Sequence, residues 1–208
     1  MPLVFQQDIN EGAKIGVWEI TEEEGFFLAS VKPLFDISHP LKRIQHLAGR
    51  YLLQTLEPAF PLGDVVITPS GKPVLQNNQF HFSITHTDQF AAVIISENES
   101  VGIDLERTTD KILRISGKFT DKKETNLLAT LGYSDAESAT IIWNIKEALF
   151  KWYGAGGIDF RRHLQIESVM QQEGVVIADC VVSKEAPLSI RSISFQIQGI
   201  WLSYVCSM

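Results

Sequence analysis

The chain has 208 residues, 45% hydrophobic and 21% charged, the make-up of an ordinary folded protein. Its 12 Phe and 4 Trp exclude a disordered chain, and no apolar stretch approaches the ~18 residues that a membrane-spanning helix needs. A net charge of −7 argues against a broad nucleic-acid surface, which needs clustered positive charge, although a few converging cations can still hold a small polyanion.

The first ten residues carry neither a basic stretch nor a long apolar run, so the cytoplasm is the expected location. Ile15 to Ile20 reads as a strand. Ile44, Leu47, Ala48, Tyr51, Leu52 and Thr55 keep helical spacing, and Pro58 closes that helix. A short strand follows at Asp64 to Thr68, then a turn at Ser70-Gly71-Lys72-Pro73. Phe80, Phe82 and Ile84 alternate with polar residues as a half-buried strand; Thr87-Asp88 turns the chain into a returning strand, Phe90 to Ile95. Val101 to Glu106 is the next strand.

Thr120 to Leu131 reads as a helix. Ser134 and Glu137 form a capping box that opens a second, running to about Tyr153 and closed by Gly154. Strands are expected at Leu164 to Met170, Val175 to Val182, Leu188 to Ile197 and Ile200 to Cys206. The class is α+β, with a division near residue 98 into an N-terminal half, 1–98, and a C-terminal half, 99–208. Cys180 and Cys206, without a CxxC, read as two buried reduced thiols.

Three groups of residues carry chemistry. In Val101-Gly102-Ile103-Asp104-Leu105-Glu106, alternation sends Val101, Ile103 and Leu105 into a core and Gly102, Asp104 and Glu106 to the other face. Two carboxylates side by side raise each other's pKa and suit a hard cation such as Mg²⁺; the plain alternative is a wet outer face. On the capped helix, Trp143, Glu147 and Lys151 stand four apart on one face. A solvated Glu–Lys pair would explain that spacing, but a Trp in the same stripe suggests a covered face or a cleft. The third group is Gly71-Lys72-Pro73 with Thr85-His86-Thr87, a turn lysine and a strand-end histidine, preceded by the basic residues Lys42, Arg43 and Arg50.

In order, GKP, FSITHT, VGIDLE and WNIKEALFK resemble the 4′-phosphopantetheinyl transferases, in their larger pseudo-dimeric class. Asp104 and Glu147 lie 43 residues apart, in keeping with the family's two signatures, and the resemblance spans roughly residues 40 to 160. Asn144 departs from it, standing where the family carries Ser, Cys or Thr. The resemblance implies two similar α+β half-domains about a pseudo-twofold axis, with coenzyme A in the cleft between them. It implies Mg²⁺-dependent transfer of the phosphopantetheine arm of CoA to a serine of an apo acyl or peptidyl carrier protein of fatty-acid, polyketide or nonribosomal peptide synthesis. Adenosine 3′,5′-bisphosphate is the other product.

By the same resemblance Asp104, Glu106 and Glu147 hold the metal. Glu147 is the candidate base, directly or through water, and Lys151 supports the phosphate. Lys72, Thr85 and His86 contact the nucleotide end of CoA, and Arg43 and Arg50 are further phosphate cations. Phe119 and the surrounding segment before the Thr120 helix are expected to help shape the carrier-docking surface, and a monomer that engages neither nucleic acid nor membrane is expected overall. Two other readings stay open, a catalytically silent CoA- or carrier-binding module of the same fold and a different Mg²⁺-dependent phosphoryl enzyme.

Overall fold

In the computed structural model, which describes residues 2–207, the chain forms two units, Met1–Val101 and Gly102–Met208. The first runs β1 (Leu3–Asn10), β2 (Ala13–Glu19), a short helix α1 (Glu24–Leu28), the long helix α2 (Pro40–Leu56), a ribbon of β3 (Val65–Ile67) and β4 (Pro73–Leu75), then β5 (His81–Thr87) and β6 (Phe90–Ser96). Its main sheet has the order β1-β2-β6-β5, antiparallel throughout. Helix α2 starts earlier than its apolar stripe suggests, because Pro40 suits the first turn, where no N–H is needed. Leu47, Leu52 and Leu53 on its buried face pack with Trp18, Phe82 and Val93 of the sheet. Strands β1 and β4 and helix α1 are additions to the sequence expectation. β1 is a half-exposed edge strand with a polar QQD run, and the other two are short.

The second unit holds nearly all of β7 (Val101–Arg107), followed by two 3₁₀ segments, Asp110–Arg114 and Ser116–Lys118. It continues through α3 (Lys122–Ala129), α4 (Asp135–Tyr153), β8 (Leu164–Gln172), β9 (Val175–Val182), β10 (Leu188–Ile197) and β11 (Ile200–Cys206). The five strands form a sheet in the order β7-β11-β10-β9-β8. Both members of the expected capping box on α4 are present, and Gly154 ends the helix at φ 71°, the left-handed conformation glycine adopts without strain. Ile142, Ile145 and Leu149 of α4 join Leu164, Val176 and Trp201 of the sheet in one core. This is an α+β fold. Both cysteines are free thiols; Cys180 is buried, and burial raises its pKa, whereas Cys206 is only half-buried.

Two features fix α4 in place. A Cβ built on Gly102 would lie 2.0 Å from the Ala148 carbonyl oxygen and 2.7 Å from the Trp152 nitrogen, so the helix backbone rests on a strand residue that has no side chain. On another side Lys146 is 0% exposed. Its ammonium lies 2.7 Å from Glu124 Oε1 and donates to Glu124 Oε2 at 2.8 Å, to Phe119 O at 2.7 Å and to Phe160 O at 3.1 Å. Glu124 also accepts from the Thr120 hydroxyl and from the Ile166 N–H. Burial pushes the Lys146 pKa down, although Glu124 opposes the shift.

Gly102→Ala is expected to lower the unfolding free energy by about 1–3 kcal/mol, since the obstructing atoms are backbone that no rotamer change can move. An unchanged urea midpoint would show that α4 can back away from β7. Lys146→Met is expected to cost about 3–5 kcal/mol by stranding a buried carboxylate. Adding Glu124→Gln to it should recover part of that loss in the same titration.

Candidate active site

The alternation read from the sequence puts Gly102, Asp104 and Glu106 on one face of β7, and that face is covered. Gly102 lies under the α4 backbone at Ala148 and Trp152. Asp104 Oδ1 accepts from Lys151 Nζ at 2.6 Å, and Glu106 Oε1 accepts from Trp143 Nε1 at 3.3 Å. Helix and strand therefore run in opposite directions, with residue 143 opposite 106 and residue 151 opposite 104. The wet-face alternative fails. Asp104 is 5% exposed, and the opposite face, with Val101, Ile103 and Leu105, is buried as well.

Glu147 sits one helical turn from both Trp143 and Lys151. Burial, then the negative charge of Asp104, raises its pKa to about 7; Lys151 pulls the other way and Glu106 adds to the rise. Lys151 Nζ also donates to Ile103 O at 3.1 Å, so its ammonium is held against the strand. The Trp143 indole is held by ring contacts as well as by Glu106. It stacks on Phe160 at 5.4 Å and meets Phe119 at 4.9 Å.

The three carboxylates do not form a closed cage. Among the described residues, no group of three or more His, Cys, Asp and Glu side chains has the arrangement of a metal site. Asp104 and Glu106 each accept from a side chain of α4, Lys151 and Trp143 respectively. The donor chemistry nonetheless fits Mg²⁺, which takes hard oxygens and needs only one or two protein carboxylates. The Glu147 pKa is raised first by burial and then by the negative charge of Asp104, which Lys151 opposes.

Two positions differ from expectation. Asn144 is wholly buried and donates to Trp201 O at 2.8 Å, so the departure from the family pattern ties α4 to β11. Phe119 is 1% exposed. It belongs to the core between α4 and its neighbours and offers no docking surface.

In the first unit, Gly71, Pro73, His86 and Arg50 line a cavity of about 220 Å³ together with Leu34 and Phe35. Lys72 stands between the two turn residues, half-buried, with its pKa lowered by burial, and its charge helps lower that of His81. His86 is exposed at the end of β5, beside buried Thr85. Arg43 and Arg50, read as phosphate cations, have protein partners. Arg43 makes a two-pronged pair with Glu24 at 2.7 and 2.8 Å, and Arg50 donates to Lys32 O and Leu62 O at 2.9 and 3.1 Å. The sequence reading passed over His46, which also lines this cavity. Its spacing from Arg43 and Arg50, three and four residues, was the available signal.

The family match falls on the second unit. The profile of the 4′-phosphopantetheinyl transferase superfamily matches residues 100–206, just over half of the chain. A 4′-phosphopantetheinyl transferase gsp from Aneurinibacillus migulanus is 31% identical over 113 residues, which are 53% of this chain and 46% of that relative. The chain thus spans about half the length of the curated relative it matches. No helix among the described residues is long and apolar enough to cross a membrane. With β7, α4 and the strands that carry them all inside the matched region, the chain belongs to the 4′-phosphopantetheinyl transferase superfamily.

Proposed function

We propose that this protein transfers the 4′-phosphopantetheine arm of coenzyme A to a serine of an apo acyl or peptidyl carrier protein, in the presence of Mg²⁺. The observation that supports this best is the meeting of the two signature stretches, with Lys151 Nζ 2.6 Å from Asp104 Oδ1 and Glu147 between them in sequence register. The serine oxygen attacks the β-phosphorus of the CoA pyrophosphate. A new P–O bond forms, the bond from that phosphorus to the bridging oxygen breaks, and adenosine 3′,5′-bisphosphate departs.

The residues divide the work by charge. Glu147, whose pKa burial raises to about 7 in the metal-free protein, is the candidate to accept the serine proton, directly or through a water; a carboxylate engaged on Mg²⁺ is a weak base, which favours the water route. Lys151, held by Asp104, carries a fixed positive charge toward the phosphate being cleaved. Asp104, Glu106 and Glu147 are the oxygens that would hold Mg²⁺, which supplies charge neutralisation and orientation of the pyrophosphate. We assign Lys72, Thr85 and His86 to the nucleotide end of CoA, whose 3′-phosphate suits cationic and hydroxyl donors.

The direct test is the intact mass of an apo carrier after incubation with the protein, CoA and Mg²⁺. A gain of one phosphopantetheine arm is expected. Glu147→Gln and Lys151→Ala should each slow the reaction by roughly 10²-fold or more. Folded protein that binds CoA yet modifies none of several unrelated carriers would leave the silent-module reading instead.

Glu147 also makes stability depend on pH. In the metal-free fold it keeps its proton up to about pH 7, above the ~4.3 of an unfolded glutamate. The stability this contributes is complete at pH values below the unfolded pKa and is lost as pH rises through about 7. In chelator, Glu147→Gln is therefore expected to melt higher than wild type near pH ~8 and alongside it near pH ~4. Thermal stabilisation by added Mg²⁺ should grow from about pH 6 to about pH 8, because binding must displace that proton. Pairs of melting curves that stay parallel across this range would contradict both expectations.

A further inference from the structure

Three side chains on one stripe of α2 hold a single stretch of backbone. Arg43 Nη1 donates to Ile37 O at 3.1 Å, the Leu34 N–H donates to His46 Nε2 at 3.1 Å, and Arg50 Nε donates to Lys32 O at 2.9 Å. Positions 43, 46 and 50 follow the i, i+3, i+7 spacing of one helix face. Arg43 is anchored in turn by Glu24 of α1, and Arg50 by the Leu62 carbonyl. Residues 32–37 are thus a strap tied down at both ends and in the middle. Its Leu34 and Phe35 form part of the wall of the 220 Å³ cavity that Gly71, Pro73 and His86 also line.

The middle tie differs in kind from the outer two. The arginines donate, whereas His46 must accept, and an imidazole can accept only when neutral. Burial, with the nearby charges of Arg50 and His86, lowers its pKa to about 4, so the acceptor is present throughout the neutral range. Its ring also lies 5.2 Å from that of Phe35, a residue 54% exposed and so dependent on the strap for its position.

We propose that His46 is a positioning residue for ligand binding. Its Nε2 acceptor, flanked by the Arg43 and Arg50 ties, fixes the strap so that Leu34 and Phe35 wall the cavity, and the hold on the nucleotide end of the ligand depends on that wall. The ligand's identity rests on the CoA reading given above; the strap does not. Arg43 and Arg50 accordingly serve backbone carbonyls of the strap.

The test compares the full-length wild type with His46→Phe and His46→Gln. Hydrogen exchange is measured at the Leu34 amide, CoA affinity by calorimetry, and KM and kcat in the transfer assay. His46→Phe keeps a ring beside Phe35 but removes the acceptor. Leu34 protection should fall and the Kd and KM for CoA should each rise by roughly tenfold, the worth of about one hydrogen bond, with kcat within about twofold. His46→Gln, which offers a carbonyl oxygen, should stay within about threefold of wild type in protection and affinity. Unchanged Leu34 exchange in folded His46→Phe overturns the tie. Lost protection with unchanged CoA affinity, or a glutamine variant that behaves like the phenylalanine one, overturns the positioning role. If wild type itself binds no CoA, the CoA reading falls along with the ligand-positioning role built on it, and exchange at Leu34 alone then decides the strap.

Discussion

The backbone of α4 lies on the one residue of β7 that has no side chain. Because a methyl group at Gly102 would stand 2.0 Å from the Ala148 oxygen, helix and strand approach more closely than two ordinary elements can. That approach brings Glu147 into the field of Asp104 and Glu106, and Lys151 within hydrogen-bond distance of Asp104. Three carboxylates and one ammonium leave the row short of positive charge. On the half-buried Glu147 the nearby negative charge adds to burial, the first cause of its raised pKa. The row is held in place by the packing of α4 on β7.

Much of this unit was legible in the sequence because its elements follow strong local rules. The capping box at Ser134 and Glu137, the stop at Gly154 and the bounds of β9, β10 and β11 all fall where period and capping place them. The face shared by Gly102, Asp104 and Glu106 follows from strand alternation alone. Alternation cannot tell what covers a face, so solvent remained possible until α4 was seen on it. Nor could it reveal that Lys146, in the middle of a charged signature, is the most deeply buried cation of the helix. Lysine is ordinarily an exposed residue, and its three partner residues lie 14 to 27 residues away in sequence.

The first unit was harder to read for a related reason. Its basic residues on α2 look like open cations in a list of residue types, but Arg43 is paired chiefly with the Glu24 carboxylate and Arg50 with backbone carbonyls, and a carbonyl leaves no mark on a sequence. Each arginine also donates to the chain itself, Arg43 to Ile37 O and Arg50 to Lys32 O. The short elements β4 and α1 were missed because three to five residues carry too little period to register. The turn Gly71-Lys72-Pro73 and the strand end at His86 were found without them, since glycine, proline and alternation act locally.

The position of β7 in its sheet has a further consequence, for the order in which the protein takes shape. Its neighbour is β11, the two strands being separated in sequence by all the other elements of the unit. The hairpins β8–β9 and β10–β11 and the core under α4 need only nearby chain, whereas this pairing closes the longest loop in the unit and is entropically the slowest to form. Asp104 and Glu106 thus come under α4 on a strand that depends on Ile200–Cys206 for its place. A nascent chain that has not yet presented those residues has its helix but not the pairing that carries the carboxylates, so the row forms only after the last strand of this unit has emerged.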